Sequence, residues 1–234
     1  MKKPLVSVIV VNYNGKMTKI KGVLLDLDNT LYDYDLCNDC ALKKVFSLVS
    51  KKFNISIRKV KKSFFNSRKE VKKYLNGTAA SHSRLLYFKK MLENLNNFTD
   101  SELSLELEKV FWDEYFKFMC LKKEALDFLR FCQKNSIKIA IITDLTTQIQ
   151  LRKTIHLGIS KYINYVITSE DVGKEKPHSL IFKVGMKKIK CNPKDIIMIG
   201  DDMEKDINPA TKLGIKSYTS FLDIDLKIFN IKKS

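Results

Sequence analysis

The stretch Val23-Leu24-Leu25-Asp26-Leu27-Asp28-Asn29-Thr30 decides the fold, because its apolar run ends at two aspartates one residue apart. Gly22 before the run and turn formers after it bound a buried strand. Side chains alternate along a strand, so Asp26 and Asp28 point the same way at the carboxyl end, where open α/β sheets bind ligands. Two such carboxylates repel by roughly 4 kcal/mol at an effective dielectric near 20. A hard divalent cation would offset this repulsion; the alternative is an acidic loop opening without function.

Further apolar runs after residue 134 alternate with helical patterns. The predicted strands are 137–143, 165–168, 196–200 and 215–218, and the predicted helices are 124–134, 147–157, 179–190 and 207–213. Strands that alternate with helices predict a Rossmann-like parallel sheet with helices on both faces, an α/β fold.

About 110 residues separate Asp28 from the next predicted strand, far more than a crossover between parallel neighbours needs. Four helical patterns fill this interval, with breaks near residues 54, 76–77 and 96–97. The sequence therefore predicts an inserted four-helix cap over the strand ends. The expected domains are an appended segment at 1–20, an α/β core at 21–33 and 121–234, and a helical cap at 34–120.

The chain has a formal net charge of +17, and much of it lies between residues 43 and 73, where Glu70 alone opposes many Lys and Arg. Three interpretations remain open: a solvated basic face that steers anionic substrates, a surface for an acidic partner, and nucleic-acid binding. The charges are nearly all Lys and no nucleic-acid motif accompanies them, so nucleic acid is not an expected partner.

The five cysteines are odd in number and irregular in spacing, which does not predict a disulfide framework. Cys37 and Cys40 form a CxxC without a second Cys or His pair nearby, so ordinary thiols are favoured over a metal or redox site. No apolar run approaches the ~18 residues of a membrane span. We expect a cytoplasmic protein without a membrane partner.

Polar groups also follow the other predicted strands. They are Thr143 and Asp144, the segment Gly173-Lys174-Glu175-Lys176-Pro177, and the acidic run 201–206. Because parallel strands end at one edge of the sheet, these groups would gather with Asp26 and Asp28 around a cation. Carboxylates, a hydroxyl and an ammonium together suit phosphoryl transfer, which depends on positioning and charge neutralisation.

Four ordered motifs, DLDNTLYD, the Thr of IAIIT, the Lys of GKEKP and the acidic GDDMEKD, resemble those of the haloacid dehalogenase-like hydrolases. The likeness spans about residues 22 to 218, and the helical insert resembles the cap of the phosphatase branch. The resemblance implies that Asp26 is the nucleophile, already ionised at an ordinary carboxyl pKa near 4, and that Asp28 is the general acid and then the base.

The resemblance also implies a Mg²⁺ site and a phosphate site. Asp26, the Asp28 carbonyl and Asp201 would hold Mg²⁺, supported by Asp206 or Asp202, with spacing favouring Asp206 and with Asp202 more suited to helix capping. Thr143, Lys176 and an amide near Asp144 would bind the phosphate.

By this resemblance, a carboxylate at position 28 favours phosphate-ester hydrolysis, because the dehalogenase branch of the family has neither a carboxylate there nor a metal. The expected enzyme is a Mg²⁺-dependent phosphatase of a small phosphate monoester, a sugar phosphate or nucleotide, acting through an aspartyl-phosphate. Two alternatives remain: a phosphomutase of the same fold, and a non-catalytic binding module that uses the basic cap.

Two segments outside these motifs carry further expectations. Residues 77–84 are polar and lead into a helix, so His82 or Arg84 would contact the leaving group; the alternative is a helix start with a salt-bridged surface Arg. Residues 4–15 resemble the opening strand and loop of GT-A-fold nucleotide-sugar glycosyltransferases. No matching metal motif follows, so we expect an appended segment without glycosyl transfer.

Overall fold

A computed structural model describes residues 20–229, in which five parallel strands form one sheet. The glycosyltransferase-like stretch lies outside the described residues. The strands are β1 (Gly22–Leu25), β2 (Lys138–Thr143), β3 (Tyr165–Thr168), β4 (Ile196–Ile199) and β5 (Lys216–Tyr218), in the order β3-β2-β1-β4-β5. The predicted α/β fold class is confirmed.

The central strand, β1, pairs with β2 and β4. Leu25 is opposite Ile141 on one side and Ile199 on the other. The residues after all three strands therefore meet at one edge of the sheet, where the sequence motifs lie.

Nine α-helices surround or extend this sheet within the described residues. They are α1 (Tyr34–Phe53), α2 (Ile57–Tyr74), α3 (Arg84–Asn96), α4 (Ser101–Lys117), α5 (Lys123–Lys134), α6 (Thr147–His156), α7 (Ser169–Val172), α8 (Ser179–Ile189) and α9 (Asn208–Lys212). Helices α1 to α4 all fall between β1 and α5, as the long interval in the sequence predicts.

Both faces of the sheet are covered. Val23 and Leu25 belong to a core cluster that includes side chains of α1 to α5. Leu24, between them, belongs to a second cluster with Ile181 of α8 and Ala210 of α9. The alternation of a buried strand thus divides the core into two layers.

Local signals set the ends of the inserted helices. The side chains of Asp33, Ser56, Ser83 and Asp100 each accept a hydrogen bond from a backbone N–H in the first turn of α1 to α4, respectively. Helices α1 and α3 end at Asn54 and Asn97, which have left-handed φ angles of 50° and 62°. These breaks match the predicted ones because Asn tolerates this conformation better than most residues.

The structure departs from the predicted helix 207–213. A π-helical turn, Met203–Ile207, comes first, and α9 is shorter than expected. Asp202 caps the π turn by accepting from the N–H groups of Glu204 and Lys205, and Pro209 occupies the first turn of α9. Among residues 20–229, no helix combines the length and apolarity that crossing a bilayer requires.

Candidate active site

Three carboxylates gather where β1 and β4 end. One oxygen each from Asp26, Asp201 and Asp206 lies within 4.8 Å of the other two. Asp26 follows β1 directly and Asp201 lies just past β4, so the matched register of the strands brings them together. The hydroxyl of Thr30 lies 2.9 Å from Asp26 and 3.2 Å from Asp201. Asp202 contributes a cap to the next turn instead of joining this cluster.

Lys176 is a buried cation between two of these carboxylates. Its Nζ donates to Asp26 at 2.6 Å and to Asp206 at 2.7 Å. Burial works against its charged form, but Asp26, Asp206 and Asp144 hold the pKa of Lys176 well above its usual value. The backbone N–H of Lys176 donates to Asp144 at 2.9 Å, which fixes the loop that carries it.

The ionisation of Asp26 differs from the sequence expectation. Asp26 is 4% exposed, and burial raises its pKa to about 8; Lys176 opposes the rise, and the Asp206 and Asp28 carboxylates add to it. The pKa of Asp201 is also raised, by burial and by Asp206. The expectation of an ordinary carboxyl pKa at position 26 is therefore wrong for the protein groups alone.

The donor set fits a hard divalent cation. One ammonium against the three carboxylates of Asp26, Asp201 and Asp206 leaves two negative charges. Burial is the main cause of the raised pKa values of Asp26 and Asp201, and the Asp206 carboxylate adds to both. Oxygen ligands are those that Mg²⁺ and Ca²⁺ prefer, and Mg²⁺ usually takes few carboxylates together with water and phosphate oxygens. A divalent cation here would favour the ionised form of Asp26.

Asp28 lies in a separate set of contacts that the sequence motifs do not predict. One oxygen accepts from Lys153 Nζ at 2.6 Å and from the Tyr32 hydroxyl, and the other accepts from Gln150 Nε2 at 3.2 Å. Burial alone would raise the pKa of Asp28, but the charge and hydrogen bond of Lys153, with the bonds from Tyr32 and Gln150, lower it. The two aspartates of the motif thus have opposite pKa shifts.

Aromatic rings enclose Lys153. Its side chain is completely buried, and Nζ lies 5.9 Å, 5.8 Å and 5.6 Å from the ring centres of Tyr32, Trp112 and Tyr115. Aromatic faces attract a cation, most strongly when it is desolvated. Because Lys153 is on α6 while Trp112 and Tyr115 are on α4, this contact joins the inserted helices to the sheet layer.

Thr143 and Asp144 lie at the end of β2, beside the same cleft. The Thr143 hydroxyl accepts from Gln150 Nε2 at 2.6 Å, and Asp144 forms an ion pair of 3.2 Å with Lys205. The next residue, Leu145, has a φ of 91°, which is strained for a residue with a side chain. Gln150 therefore connects Thr143 with Asp28, and strained backbone follows Thr143 within the cleft.

Gly200 is required by the position of Asp206. A Cβ at residue 200 would lie 2.5 Å to 2.6 Å from side-chain atoms of Asp206. We expect Gly200→Ala to reduce the free energy of unfolding by ~1–3 kcal/mol, because overpacking forces side chains and backbone to shift. Urea denaturation with and without Mg²⁺ measures this loss; an unchanged unfolding midpoint would contradict the tight contact.

His82 and Arg84 both line the cleft, but each has protein partners. His82 Nε2 lies 3.1 Å from Glu175, the neighbour of Lys176. Arg84 is buried; it donates to the His82 carbonyl at 2.8 Å and to the Tyr34 hydroxyl, and its guanidinium lies 5.3 Å from the Phe111 ring centre. The helix start at Arg84 is confirmed, whereas the alternative of a salt-bridged surface Arg is wrong, because aromatic and polar groups enclose it.

The cleft has a volume of ≈ 260 Å³. Some of its lining residues are site residues predicted from the sequence, and others are not. Its lining contains the predicted Asp26, Asp28, His82, Arg84, Thr143, Asp144, Lys176, Asp201 and Asp206. Unpredicted cations also line it, namely Arg68, Lys72 and Lys205. The arrangement can hold a cation, a transferable phosphoryl group and a carboxylate nucleophile within one small volume.

Comparisons with known proteins show which family this chain resembles. The haloacid dehalogenase-like hydrolase family matches residues 20–214. The ribulose-1,5-bisphosphate 5-phosphatase of Halopiger xanaduensis is 37% identical over 200 residues, which are 84% of this chain and 82% of that protein. The glyceraldehyde 3-phosphate phosphatase of Methanocaldococcus jannaschii is 27% identical over 197 residues, with the same coverage of 84% and 82%.

A solved structure matches the fold. The haloacid dehalogenase-like phosphatase of Thermococcus onnurineus has a TM-score of 0.65 at 24% identity and covers 85% of each chain. The family match spans most of the described residues and includes every motif of the cleft. The chain therefore belongs to the haloacid dehalogenase-like hydrolases, within which it is a phosphoric monoester hydrolase.

Proposed function

We propose that this phosphatase is Mg²⁺-dependent and hydrolyses a small sugar phosphate through an aspartyl-phosphate on Asp26. The observation that carries the proposal is the buried Asp26 carboxylate, 2.6 Å from Lys176 Nζ and clustered with Asp201 and Asp206. A nucleophile, a fixed positive charge and a set of oxygen ligands meet there, as phosphoryl transfer requires.

In the first step, an Asp26 oxygen attacks phosphorus and the bond from phosphorus to the leaving oxygen breaks. Lys176 Nζ, Thr143 Oγ1 and backbone N–H groups of the cleft offset the charge on the phosphoryl oxygens. The resemblance gives Asp28 the transfer of a proton to the leaving alkoxide, although its lowered pKa disfavours the protonated form that this transfer needs. Bound Mg²⁺, held by Asp26, Asp201, Asp206 and the Asp28 carbonyl, would supply charge neutralisation at the phosphoryl group.

In the second step, Asp28 takes a proton from a water molecule that attacks the same phosphorus, and the acyl-phosphate bond breaks to restore Asp26. The lowered pKa of Asp28, caused by Lys153 against the opposing effect of burial, suits this role as a base. Lys153, Gln150 and Tyr32 hold the carboxylate in place through three hydrogen bonds. Their proposed role is to position Asp28.

The substrate class rests on the relatives and on the cleft. Two relatives act on ribulose 1,5-bisphosphate and glyceraldehyde 3-phosphate, both small sugar phosphates. A cleft of ≈ 260 Å³ has room for a ligand of this size. We propose residues 34–120 as the cap domain that closes over it and residues 21–33 and 121–234 as the catalytic core. The free thiols of all five cysteines support the proposed cytoplasmic location.

A purified-enzyme assay tests this function. We expect the protein to release inorganic phosphate from p-nitrophenyl phosphate and small sugar phosphates with Mg²⁺. We expect EDTA to abolish the release, because burial, together with the Asp206 and Asp28 carboxylates, disfavours an ionised Asp26 when no cation is bound. The Asp26→Asn protein, prepared in parallel, measures contaminating phosphatase. Equal release by the two proteins would contradict the proposal, and an isomerised phosphate ester without free phosphate would indicate a mutase.

A further inference from the structure

The cleft has an acidic floor and, facing it, a basic wall. The floor holds Asp26, Asp201 and Asp206 around Lys176, whose ammonium is taken up by two of these carboxylates. The facing helix, α2, contributes Arg68 and Lys72 to the lining, and Lys205 joins them from the π-helical turn. The proposed chemistry uses this floor together with Asp28 and Thr143, and it gives the basic wall no role.

Arg68 and Lys72 have no carboxylate at ion-pair distance within residues 20–229. They lie four residues apart on α2 and so share one face of the helix. By contrast, Glu70 on the same helix pairs with Lys90 at 3.4 Å, away from the cleft lining. The other basic residues of α2 also lack such a partner in the described part of the chain, so what distinguishes Arg68 and Lys72 is that they alone of this helix line the cleft.

The wall is electrostatically unfavourable on its own. Like charges four residues apart on a helix destabilise it by ~0.2–0.5 kcal/mol. Burial first, then Arg68 and Lys205, lower the pKa of Lys72; the nearby Glu175 opposes the effect. Arg84 also faces this region, but its guanidinium is held by Tyr34, by the His82 carbonyl and by aromatic rings. A bound anion would offset the repulsion between the remaining cations.

We propose that Arg68 and Lys72, assisted by Lys205, form a second anion site, so that the substrate carries a second phosphate or a carboxylate distal to the phosphate that is cleaved. This inference rests on the proposed function, because it takes the phosphate at Asp26 as the one that is transferred. The substrate class is then a small compound with an anionic group at each end. A guanidinium and an ammonium on one helix face suit a dianionic phosphate.

The competing explanation is general steering by the basic surface, which extends over residues 43–73. Steering acts through net charge and falls with ionic strength, so it depends little on which lysine of α2 is removed. Helix α2 offers a matched comparison, since Lys69 and Lys73 are also four residues apart, both are exposed, and both lie outside the cleft lining.

The experiment compares Arg68→Met/Lys72→Met with Lys69→Met/Lys73→Met. The probes are pentane-1,5-diol bisphosphate and pentyl phosphate, which differ only in the distal phosphate, and kcat/KM is measured for each. We expect the wild type to prefer the bisphosphate. The ratio of the two kcat/KM values should fall ~10- to 100-fold in Arg68→Met/Lys72→Met, as for loss of charged hydrogen bonds, and stay unchanged in Lys69→Met/Lys73→Met.

Equal ratios in the two double variants, or a wild type without preference for the bisphosphate, would overturn the second site while leaving the phosphatase proposal intact. Absence of turnover on both probes would count against the phosphatase proposal alone. Calorimetric binding of both probes to Asp26→Asn then tests the second site without turnover: tighter binding of the bisphosphate, lost only with Arg68→Met/Lys72→Met, supports it, and equal affinities reject it.

Discussion

Replacing Asp26 by Asn is expected to reduce kcat by at least ~10⁴-fold, because removal of a nucleophile eliminates the covalent route. Asn keeps the shape of the side chain but cannot attack phosphorus to form an acyl-phosphate. The hydroxyl of Thr30, 2.9 Å from Asp26 in the native protein, can still donate to the Asn oxygen. Steady-state phosphate release with Mg²⁺ and a small sugar phosphate measures the loss.

The control is Asp127→Asn on α5. It makes the same chemical change at an exposed carboxylate instead of a buried one. Its kcat should match that of the wild type. Far-ultraviolet circular dichroism of Asp26→Asn should also match, since the strand and its register do not depend on this charge. A folded Asp26→Asn protein that keeps even a tenth of wild-type kcat, after purification from a phosphatase-deficient host, would contradict the nucleophile assignment.

Lys153→Met is expected to lower the free energy of unfolding by ~3 kcal/mol or more, the usual effect of removing one partner of a buried ion pair. Met fills the space among Tyr32, Trp112 and Tyr115 but leaves the Asp28 carboxylate without its ammonium partner, now 2.6 Å away. We also expect kcat to fall ~10²-fold, because a general acid or base contributes 10²–10⁴-fold and Asp28 would lose its fixed position. Urea denaturation and steady-state kinetics measure the two effects.

The double variant Asp28→Asn/Lys153→Met separates the ion pair from simple packing. If the pair is the cause, the double variant should be more stable than Lys153→Met alone, because no unpaired charge remains. A second control, Lys134→Met, removes an exposed lysine at the end of α5 and should leave stability within ~0.5 kcal/mol. A double variant less stable than Lys153→Met would contradict the proposed interaction.

The sequence predicted the sheet and the cluster of acidic groups because both depend on local patterns. Apolar runs define β1 and β4, and the motif residues follow them directly, so parallel pairing alone brings Asp26 and Asp201 together. Helix boundaries such as Asn54 follow from short-range capping chemistry. Asp206 lies in the carboxylate cluster and Asp202 caps the π turn; the support of a metal by Asp206 stays a prediction.

What the sequence did not predict depends on how separate elements dock. Gln150 and Lys153 lie three residues apart on α6, so the sequence indicates that they share a helix face. It does not indicate their partner, because Asp28 is more than 120 residues away in the chain. The pKa shift of Asp26 arises from burial by the assembled fold. Within the basic region, only the position of α2 distinguishes Arg68 and Lys72 from the lysines beside them.

The most direct test of the account is chemical identification of the phosphorylated residue. Enzyme mixed with Mg²⁺ and a small sugar phosphate is quenched during turnover, reduced with borohydride, digested, and analysed by mass spectrometry. Borohydride reduces an aspartyl-phosphate to homoserine, so the account predicts homoserine at position 26 only in samples that contained substrate. Homoserine at Asp28, Asp201 or Asp206, or inversion of configuration at phosphorus during turnover, would contradict it.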